Sequence, residues 1–385
     1  MIATLMLPMH GGDYAEWQMR EPQSWTRPIH PMTSRIAFAA AHVVASPWED
    51  NHPGAPARID WDETLGFRQH LWSWGLGVAE AMDTAQRGMG LDWAATRELI
   101  ERSSALAHAV GGTIAAGAGT DHAEPDTLDT VIRSYAEQLE VVEAAGAVPI
   151  LMASRHLAHI ATGREDYLKV YGRLLAGVSR PVILHWLGPM FDPQLEGYWG
   201  SADIDEATAT VLDIINDHAA AVDGVKISLL DEAHEVRVRA ALPPGVRLYT
   251  GDDFNYPALI RGEAGRASDA LLGAFAAIAP AASAALQALD AGDLDTFDRV
   301  LAPTVALSRH IFRSPTYYYK TGIAFLAWLS GHQRGFTMVG GLHSGRSPLD
   351  LVETFRLADR AGLFADPALA ASRMQAYLEV SGLAR

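Results

Sequence analysis

Hydrophobic positions along the chain follow two alternating patterns. From about Ser34 onward, short apolar runs alternate with longer amphipathic stretches, as expected when parallel strands are joined by crossover helices. This pattern predicts eight strands, at Arg35–Val44, Val78–Thr84, Thr113–Ala118, Val148–Ala153, Val182–Leu187, Gly224–Leu229, Val246–Thr250 and Leu271–Ile278. The last is the least distinct, because periodicity does not separate an Ala-rich apolar run from a buried helix. The chain is therefore predicted to be an α/β protein.

The helical stretches are clearest between the third and fourth strands and after the eighth. The apolar positions of the first of these stretches share one helical face, and they are Leu128, Val131, Ile132, Tyr135, Leu139 and Val142. Gly146 follows as a stop signal. After about Leu294 the alternation ceases, and the pattern predicts helices at Leu294–Phe312, Tyr317–Ser330 and Pro348–Ala361, with a final helix ending near Leu378.

The two ends of the chain differ from its middle. The first 33 residues favour an extended arm over a packed element, because they carry Pro8, Pro22, Pro28 and Pro31 with Trp17 and Trp25. We therefore expect an N-terminal extension over residues 1–33, a barrel over residues 34–293, and a C-terminal layer of helices packed on the barrel over residues 294–385.

Composition narrows the class of protein further. A length of 385 residues with 49% hydrophobic content suits one (β/α)8 TIM barrel with added helices. The net charge of -16 disfavours nucleic acid as a partner. The absence of Cys excludes disulfides, thiolate catalysis and Cys-ligated metal sites. The start of the chain does not resemble a signal peptide and no apolar run approaches membrane-spanning length, so we expect a cytoplasmic protein with no membrane partner.

A lysine on the sixth predicted strand is the main candidate for chemistry. In the segment D-G-V-K-I-S-L-L-D, the period of two places Lys226 on the same face as Gly224 and Ser228. Val225 and Ile227 lie on the opposite face. If Lys226 points into the barrel, burial should lower its pKa from the usual value of about 10.4 and leave a nucleophilic amine. The alternative is a structural lysine, either paired with a carboxylate from a neighbouring strand or anchoring a metal site.

Three segments around this lysine resemble a known enzyme family. The order of V-I-L-H-W-L (182–187), G-V-K-I-S (224–228) and Y-T-G-D-D (249–253) is similar to the fifth, sixth and seventh strands of the dihydrodipicolinate synthase/N-acetylneuraminate lyase family of class I, Schiff-base aldolases. In that family a lysine on the sixth strand forms the Schiff base. The resemblance therefore implies a barrel whose Lys226 forms a Schiff base with a small-molecule carbonyl substrate and needs no cofactor.

The resemblance continues into the C-terminal helices. L-A-P-T-V-A-L-S-R-H-I-F (301–312), P-T-Y-Y-Y-K (315–320) and H-S-G-R-S-P-L-D (343–350) are similar to the terminal helices of the family, so that the match covers roughly residues 34–365. The chain looks like a divergent branch of the family. The resemblance also implies a homo-oligomer.

Two family motifs are missing from the chain. The turn after the second strand, where the family carries Gly-Thr-Thr-Gly-Glu, is here M-D-T-A-Q, which keeps only Thr84 as a hydroxyl. The segment after the fourth strand, where the family carries a proton-relaying tyrosine, is A-S-R-H. Arg155 in this segment is suited to binding a carboxylate, and His156 to proton transfer. Alternatively, both residues simply cap the next element.

Histidines recur near the predicted strand ends and support a second interpretation. They are His42, His122, His156 and His185, and together with Asp83, Asp121 or Asp252 they could ligate a divalent metal in a hydrolase or isomerase. No His-x-His pair lies on the first strand and no His-Glu-x-x-His segment occurs in the chain. Each histidine alone is more often a core or rim residue.

Two further stretches lie at predicted strand ends. Asp252 and Asp253 follow the seventh strand, where they are expected either to contact substrate hydroxyls or to shape a turn and cap a helix. The aromatic stretch over residues 186–200 suits a lid or a subunit contact.

The sequence thus predicts an aldolase or lyase, or a dehydratase, that attacks a 2-oxo acid or keto-sugar-derived substrate through Lys226. His156 is assigned to proton transfer, Arg155 and Thr84 to an anionic group, and His185, Asp252 and Asp253 to hydroxyls. Lys169 and Lys320 lie in predicted helices and are not expected to be nucleophiles. The alternatives are the metal-dependent enzyme and a barrel that binds a sugar-like ligand without turnover.

Overall fold

Eight parallel strands close into a barrel, as the sequence predicts. The computed structural model describes residues 3–83, 86–263 and 265–385. The barrel strands follow one another in chain order, and the last pairs with the first. They are β3 (Ala37–Ala40), β4 (Gly77–Glu80), β5 (Ile114–Ala118), β6 (Val148–Leu151), β7 (Val182–Leu187), β8 (Val222–Ser228), β9 (Arg247–Thr250) and β10 (Asp269–Leu272). With helices around it and after it, the chain is a (β/α)8 TIM barrel with C-terminal helices.

The eighth strand does not lie where the hydrophobic pattern placed it. β10 ends at Leu272, and the second half of the predicted strand Leu271–Ile278 is a short helix, Ala274–Ala277. Both pieces are buried, so their apolar composition is the same and carries no signal for the change from strand to helix.

Helices surround the barrel and continue beyond it. They are α1 (Trp61–Ser73), α2 (Trp93–Val110), α3 (Leu128–Ala144), α4 (Arg155–Ile160), α5 (Arg164–Leu175), α6 (Ile204–Asp217), α7 (Glu232–Ala241), α8 (Tyr256–Arg261), α9 (Ala274–Ala277), α10 (Ala279–Asp290), α11 (Leu294–Ile311), α12 (Tyr319–Leu329), α13 (Pro348–Arg360) and α14 (Pro367–Val380). Many begin at a residue whose side chain accepts a backbone N–H, as at Asp60, Asp92 and Thr127. Within the described residues, none of these helices is both long enough and apolar enough to span a lipid bilayer.

Alternate residues of the barrel strands belong to two separate hydrophobic clusters, one outside the barrel and one inside it. Val225 and Ile227 of β8 point outward into the core shared with the helices. The interior is filled by a separate cluster that includes Phe38, Ile150 and Tyr249. Other positions of this cluster are occupied by alanine (Ala40, Ala79 and Ala115). These small residues leave room inside the barrel for long side chains from other strands.

The N-terminal segment is packed, contrary to the extended arm predicted from its prolines. Residues Thr4–Pro8 (β1) and Tyr14–Gln18 (β2) form an antiparallel hairpin that contacts α13 and α14. Leu5 and Leu7 are buried there, and Trp17 Nε1 donates to Asp359 Oδ2 at 3.0 Å. Pro8 is the last residue of β1, and the other three prolines follow the hairpin, so none interrupts a ladder hydrogen bond.

The C-terminal helices reach the barrel through α12. This helix contacts α9 and the two helices that follow it, α13 and α14. Its first residue, Tyr319, stacks on Phe312 with ring centroids 4.4 Å apart, and Phe191 from the loop after β7 packs edge-on against Tyr319. α12 therefore places its N-terminal residues beside the loops that follow the barrel strands.

Candidate active site

Lys226 lies in the middle of β8, inside the barrel. It is paired in register with His185 of β7 and Tyr249 of β9, and the residue is only 5% exposed. Its Nζ lies 3.8 Å from Met82 Sδ. A Cβ atom on Gly251, after β9, would lie 2.8 Å from Lys226 Cε, closer than van der Waals contact allows. Gly251 thus provides the room in which the lysine side chain lies.

Three further ionisable side chains lie around Lys226, and with it they form what we call the lysine chamber. Asp83 follows β4, Asp253 follows β9, and Lys320 is the second residue of α12; all are buried. Lys320 Nζ forms an ion pair with Asp83 Oδ2 at 2.9 Å. The chamber therefore contains two lysines and two aspartates, a group of ionisable side chains that the sequence analysis did not bring together.

Burial and neighbouring charges change the pKa of each lysine. Burial lowers the pKa of Lys226 below its usual value; Asp83 and Asp253 oppose the change, and the positive charge of Lys320 adds to it. Burial also lowers the pKa of Lys320, against the attraction of Asp83. Burial alone would raise the pKa of Asp83, but the two lysines bring it below its usual value. Asp83 is therefore ionised at neutral pH and neutralises part of the positive charge.

Asp253 is the carboxyl group of the chamber that can carry a proton near neutral pH. Burial raises its pKa to about 8, although Ala274 N donates to its Oδ1 at 2.8 Å and Lys226 opposes the rise. A carboxyl group with such a pKa exchanges its proton near neutrality, the property required of a general acid or base. Burial, followed by the charge of Asp83, raises the pKa of the nearby Tyr319 hydroxyl well above its usual value.

His185 and Asp252 lie on either side of this chamber along the sheet. His185 Nε2 is 3.3 Å from Ser228 Oγ, while its Nδ1 has no hydrogen-bond partner among the residues described. Burial, with the charge of Lys226, lowers the pKa of His185 well below its usual value, so the ring is neutral. Asp252 instead accepts from Phe254 N and from Asn255 N, at 2.8 and 3.0 Å. Its carboxylate shapes a turn.

Arg155 and His156 line a different space, which we call the outer cavity. This cavity of about 610 Å³ lies between the segments that follow β5 and β6, and Lys226 is not in its wall. Arg155 Nε donates to Asp192 Oδ2 at 2.6 Å. His156 Nδ1 is 3.0 Å from Thr120 Oγ1. Both residues also belong to the first turn of α4, which Ser154 caps, so the structural alternative for this segment is present as well.

Two methionines separate the outer cavity from the lysine chamber. Met152 lines the outer cavity, and Met82 contacts Lys226. Both pack around Gly117, where a Cβ atom would lie 2.7 Å from Met152 Sδ and 2.8 Å from Met82 Cα. The outer cavity and the lysine chamber are therefore neighbours on the two sides of Met82 and Met152.

Several sequence predictions about the site need correction. Lys320 lies in a helix, as predicted, but it is 1% exposed inside the chamber and burial lowers its pKa, which was not expected. The proposed ring of metal-binding histidines does not form, because no three His, Asp or Glu side chains converge in the part of the chain that the structure describes. His42 Nε2 instead contacts Gln333 Oε1 at 2.7 Å, and His122 Nε2 contacts Glu137 Oε2 at 2.8 Å. Thr84 lies outside the described residues.

Comparison with known structures places this barrel in a recognised fold class. Dihydrodipicolinate synthase from Aquifex aeolicus matches with a TM-score of 0.65 and 13% identity over 86% of this chain and 99% of that one. The enzyme from Oceanobacillus iheyensis matches with a TM-score of 0.63 and 16% identity, covering 85% and 95%. A prophage protein of the dihydrodipicolinic acid synthase family from E. coli K12, solved with pyruvate, matches with a TM-score of 0.63 and 13% identity, covering 91% and 99%.

The fold is thus that of dihydrodipicolinate synthase structures. Within that class, the chain belongs to the family described as Protein of unknown function (DUF993), which matches residues 5–383. No curated protein matches the sequence.

Proposed function

We propose that this protein is a Schiff-base-forming aldolase or lyase, or a dehydratase, acting on a 2-oxo acid or keto-sugar-derived substrate. One observation carries the proposal: the sixth barrel strand directs a buried lysine inward, and burial lowers the pKa of its amine. Such a group is the nucleophile of class I aldolases, as the family resemblance implies for Lys226. The same resemblance supports a homo-oligomer, and the chemistry requires no cofactor.

In the proposed reaction, the neutral amine of Lys226 attacks the carbonyl carbon of the substrate. The resulting carbinolamine loses its oxygen as water and becomes an iminium, which withdraws electrons from the adjacent carbon. In cleavage, a base removes the proton from the hydroxyl group on the β carbon, the bond between the α and β carbons breaks, and its electron pair forms an enamine at Lys226. Protonation of the α carbon then restores the iminium, and the reverse sequence forms the bond. In a dehydratase, removal of a proton from the α carbon gives the enamine, which expels the β hydroxyl group as water. Hydrolysis of the iminium releases the product and regenerates the amine.

Asp253 is the better candidate for proton transfer at the reacting carbon. The sequence assigned this role to His156, which lines the outer cavity, and the wall of that cavity does not include Lys226. Asp253 faces Lys226 and has a pKa of about 8, so its protonated form donates a proton and its ionised form accepts one near neutral pH.

The outer cavity suits the remainder of the substrate. In this proposal Arg155, already paired with Asp192, binds an anionic group, His156 contacts a polar group, and His185 offers its unpartnered Nδ1 to a hydroxyl. The local hydrogen bonds of Asp252 favour its structural role. Thr84 stays a sequence prediction for the anionic group.

Trapping with borohydride tests the proposed chemistry without knowledge of the natural substrate. The protein is incubated with borohydride and a panel of 2-oxo acids and keto sugars, which includes pyruvate because a structural neighbour was solved with it. We expect a stable mass increase, which digestion assigns to Lys226. Lys226→Arg should abolish it, because a guanidinium group is not deprotonated.

The two other lysines serve as internal controls for this experiment. Lys169 is exposed on α5, whereas Lys320 is buried beside Asp83. An adduct on either lysine, with Lys226 unmodified, would contradict the mechanism. If a panel compound binds but leaves Lys226 unmodified and is not converted, the protein is instead a binding barrel.

A further inference from the structure

Lys320 is held in the lysine chamber by three acceptors. Its Nζ lies 2.9 Å from Asp83 Oδ2, and it donates to Ala40 O at 2.5 Å and to Ala41 O at 3.3 Å. The two carbonyl groups belong to the end of β3 and to the residue after it. A buried ammonium group with three acceptors is compensated and fixed in position. Lys320 is therefore not free to act as a second nucleophile.

Four ionisable side chains face Lys226 from the elements around it. They are Asp83 after β4, Asp253 after β9, Lys320 from α12 and His185 from β7. His185 is neutral and Asp253 is protonated at neutral pH, so Asp83 is the main negative charge that favours the ammonium form of Lys226. The protonation state of Lys226 thus depends on whether the carboxylate of Asp83 is paired with another positive charge.

We propose that Lys320 is a positioning residue that engages Asp83 in an ion pair and thereby leaves the amine of Lys226 neutral and nucleophilic. The inference rests on the proposed function and adds a second lysine to it. Lys320 disfavours the ammonium form of Lys226 in two ways. It withdraws the carboxylate from Lys226, and its own positive charge disfavours a second ammonium group nearby.

Titration of the lysines tests this proposal directly. The chain has three lysines, so protein prepared with lysine carrying ¹³C at the ε carbon gives three signals, each of which reports the protonation of one amine. In Lys320→Met, the signal of Lys226 should titrate about one pH unit higher or more, corresponding to an approximately tenfold smaller fraction of neutral amine at pH 7. In Asp83→Asn it should titrate lower than in the wild type.

A matched control and a second variant keep the test decisive. Lys169→Met removes an exposed lysine on α5 and should leave the Lys226 signal unchanged. If Lys320→Met does not fold, the double variant Asp83→Asn/Lys320→Met removes both members of the buried pair. In it, Lys226 should titrate above its midpoint in Asp83→Asn alone, because the repulsion from Lys320 is gone.

An unchanged or lowered Lys226 midpoint in Lys320→Met, or equal midpoints in Asp83→Asn and the double variant, would overturn the proposal. The titration contains no carbonyl compound, so its outcome is separate from that of borohydride trapping. Trapping on Lys226 with no response to Lys320→Met removes the role of Lys320 and leaves the proposed function standing. A response without any trapping contradicts the proposed function instead.

Discussion

At the scale of single residues, Gly251 matters to the candidate site as much as the lysine beside it. We expect Gly251→Ala to displace Lys226 and Ser228, since the new Cβ would lie 2.2 Å from Ser228 Oγ, 2.6 Å from Ile227 O and 2.8 Å from Lys226 Cε. Overpacking of this kind costs about 1–3 kcal/mol of stability. Displacement of the amine should also slow borohydride trapping by about tenfold or more. Chemical denaturation and the rate of adduct formation measure the two effects.

Gly66 supplies the matched control for this substitution. It is exposed on α1, and a Cβ atom there would meet nothing within 4 Å. Gly66→Ala should leave trapping unchanged and stabilise the protein by up to about 1 kcal/mol through helix propensity. Normal trapping by Gly251→Ala would show that Lys226 reaches the substrate from a different position.

The sequence was sufficient to predict the direction of a side chain when that direction follows from the alternation within a single strand. The period of two was sufficient to place Lys226 on the face opposite Val225 and Ile227. It was insufficient for Lys320, which lies in a helix whose neighbours come from distant parts of the chain. The only local indication that Lys320 is buried is the uninterrupted apolar helix around it, α12. This indication does not identify the groups that Lys320 contacts.

At the scale of elements, α7 is joined to the barrel by a buried carboxyl group. Glu235 accepts from Thr250 Oγ1 at 2.9 Å and from Ser268 Oγ at 2.8 Å, and burial raises its pKa to about 8. The unfolded chain releases this proton near pH 4.5, whereas the folded chain holds it until about pH 8. Below pH 4.5 this pKa difference therefore does not lower the free energy of unfolding. As the pH rises from 4.5 to 8, the free energy of unfolding decreases progressively.

Replacing this carboxyl group should remove that part of the pH dependence. The stability of Glu235→Gln relative to the wild type should increase between pH 5 and pH 8 by about 3.5 kcal/mol, since each pH unit inside the window contributes about 1.4 kcal/mol. Urea denaturation at the two pH values measures the difference. Glu232→Gln, in the exposed first turn of the same helix, is the control and should follow the wild type at both values. A constant difference between Glu235→Gln and the wild type would mean that Glu235 is ionised throughout.

Elements with a strong period were predicted well, and elements defined by packing were not. The helix predicted from Leu128 to Val142, with Gly146 as its stop, is α3, Leu128–Ala144, and Gly146 has a left-handed φ of 81°. β10 and α9 were merged into one strand because both are uniformly apolar. The N-terminal hairpin was missed because its buried face is completed by α13 and α14, more than 300 residues away in the chain.

At the scale of the whole molecule, the candidate site depends on the C-terminal helices. Lys226 and Asp253 belong to the barrel, whereas Tyr319 and Lys320 come from α12. The sequence correctly predicted helices after Leu294 but treated them as an outer layer. Their contribution to the chamber could not be deduced from periodicity, because the apolar face of a helix does not specify which part of the barrel it covers.

The different partners of the histidines lead to the last prediction, that chelation leaves the chemistry intact. His42 contacts Gln333, His122 contacts Glu137 and His185 contacts Ser228, so three of the four histidines proposed as a ring have different partners. A divalent metal needs several such ligands at one point, and the described residues offer no group of three.

An iminium mechanism at Lys226 requires no metal. Trapping of a reactive panel compound should therefore proceed at the same rate after treatment with a chelator as before it. A rate that falls with chelator and recovers only when a divalent ion is added would favour the metal-dependent alternative. Lys226→Arg, treated in parallel, gives the background of the measurement.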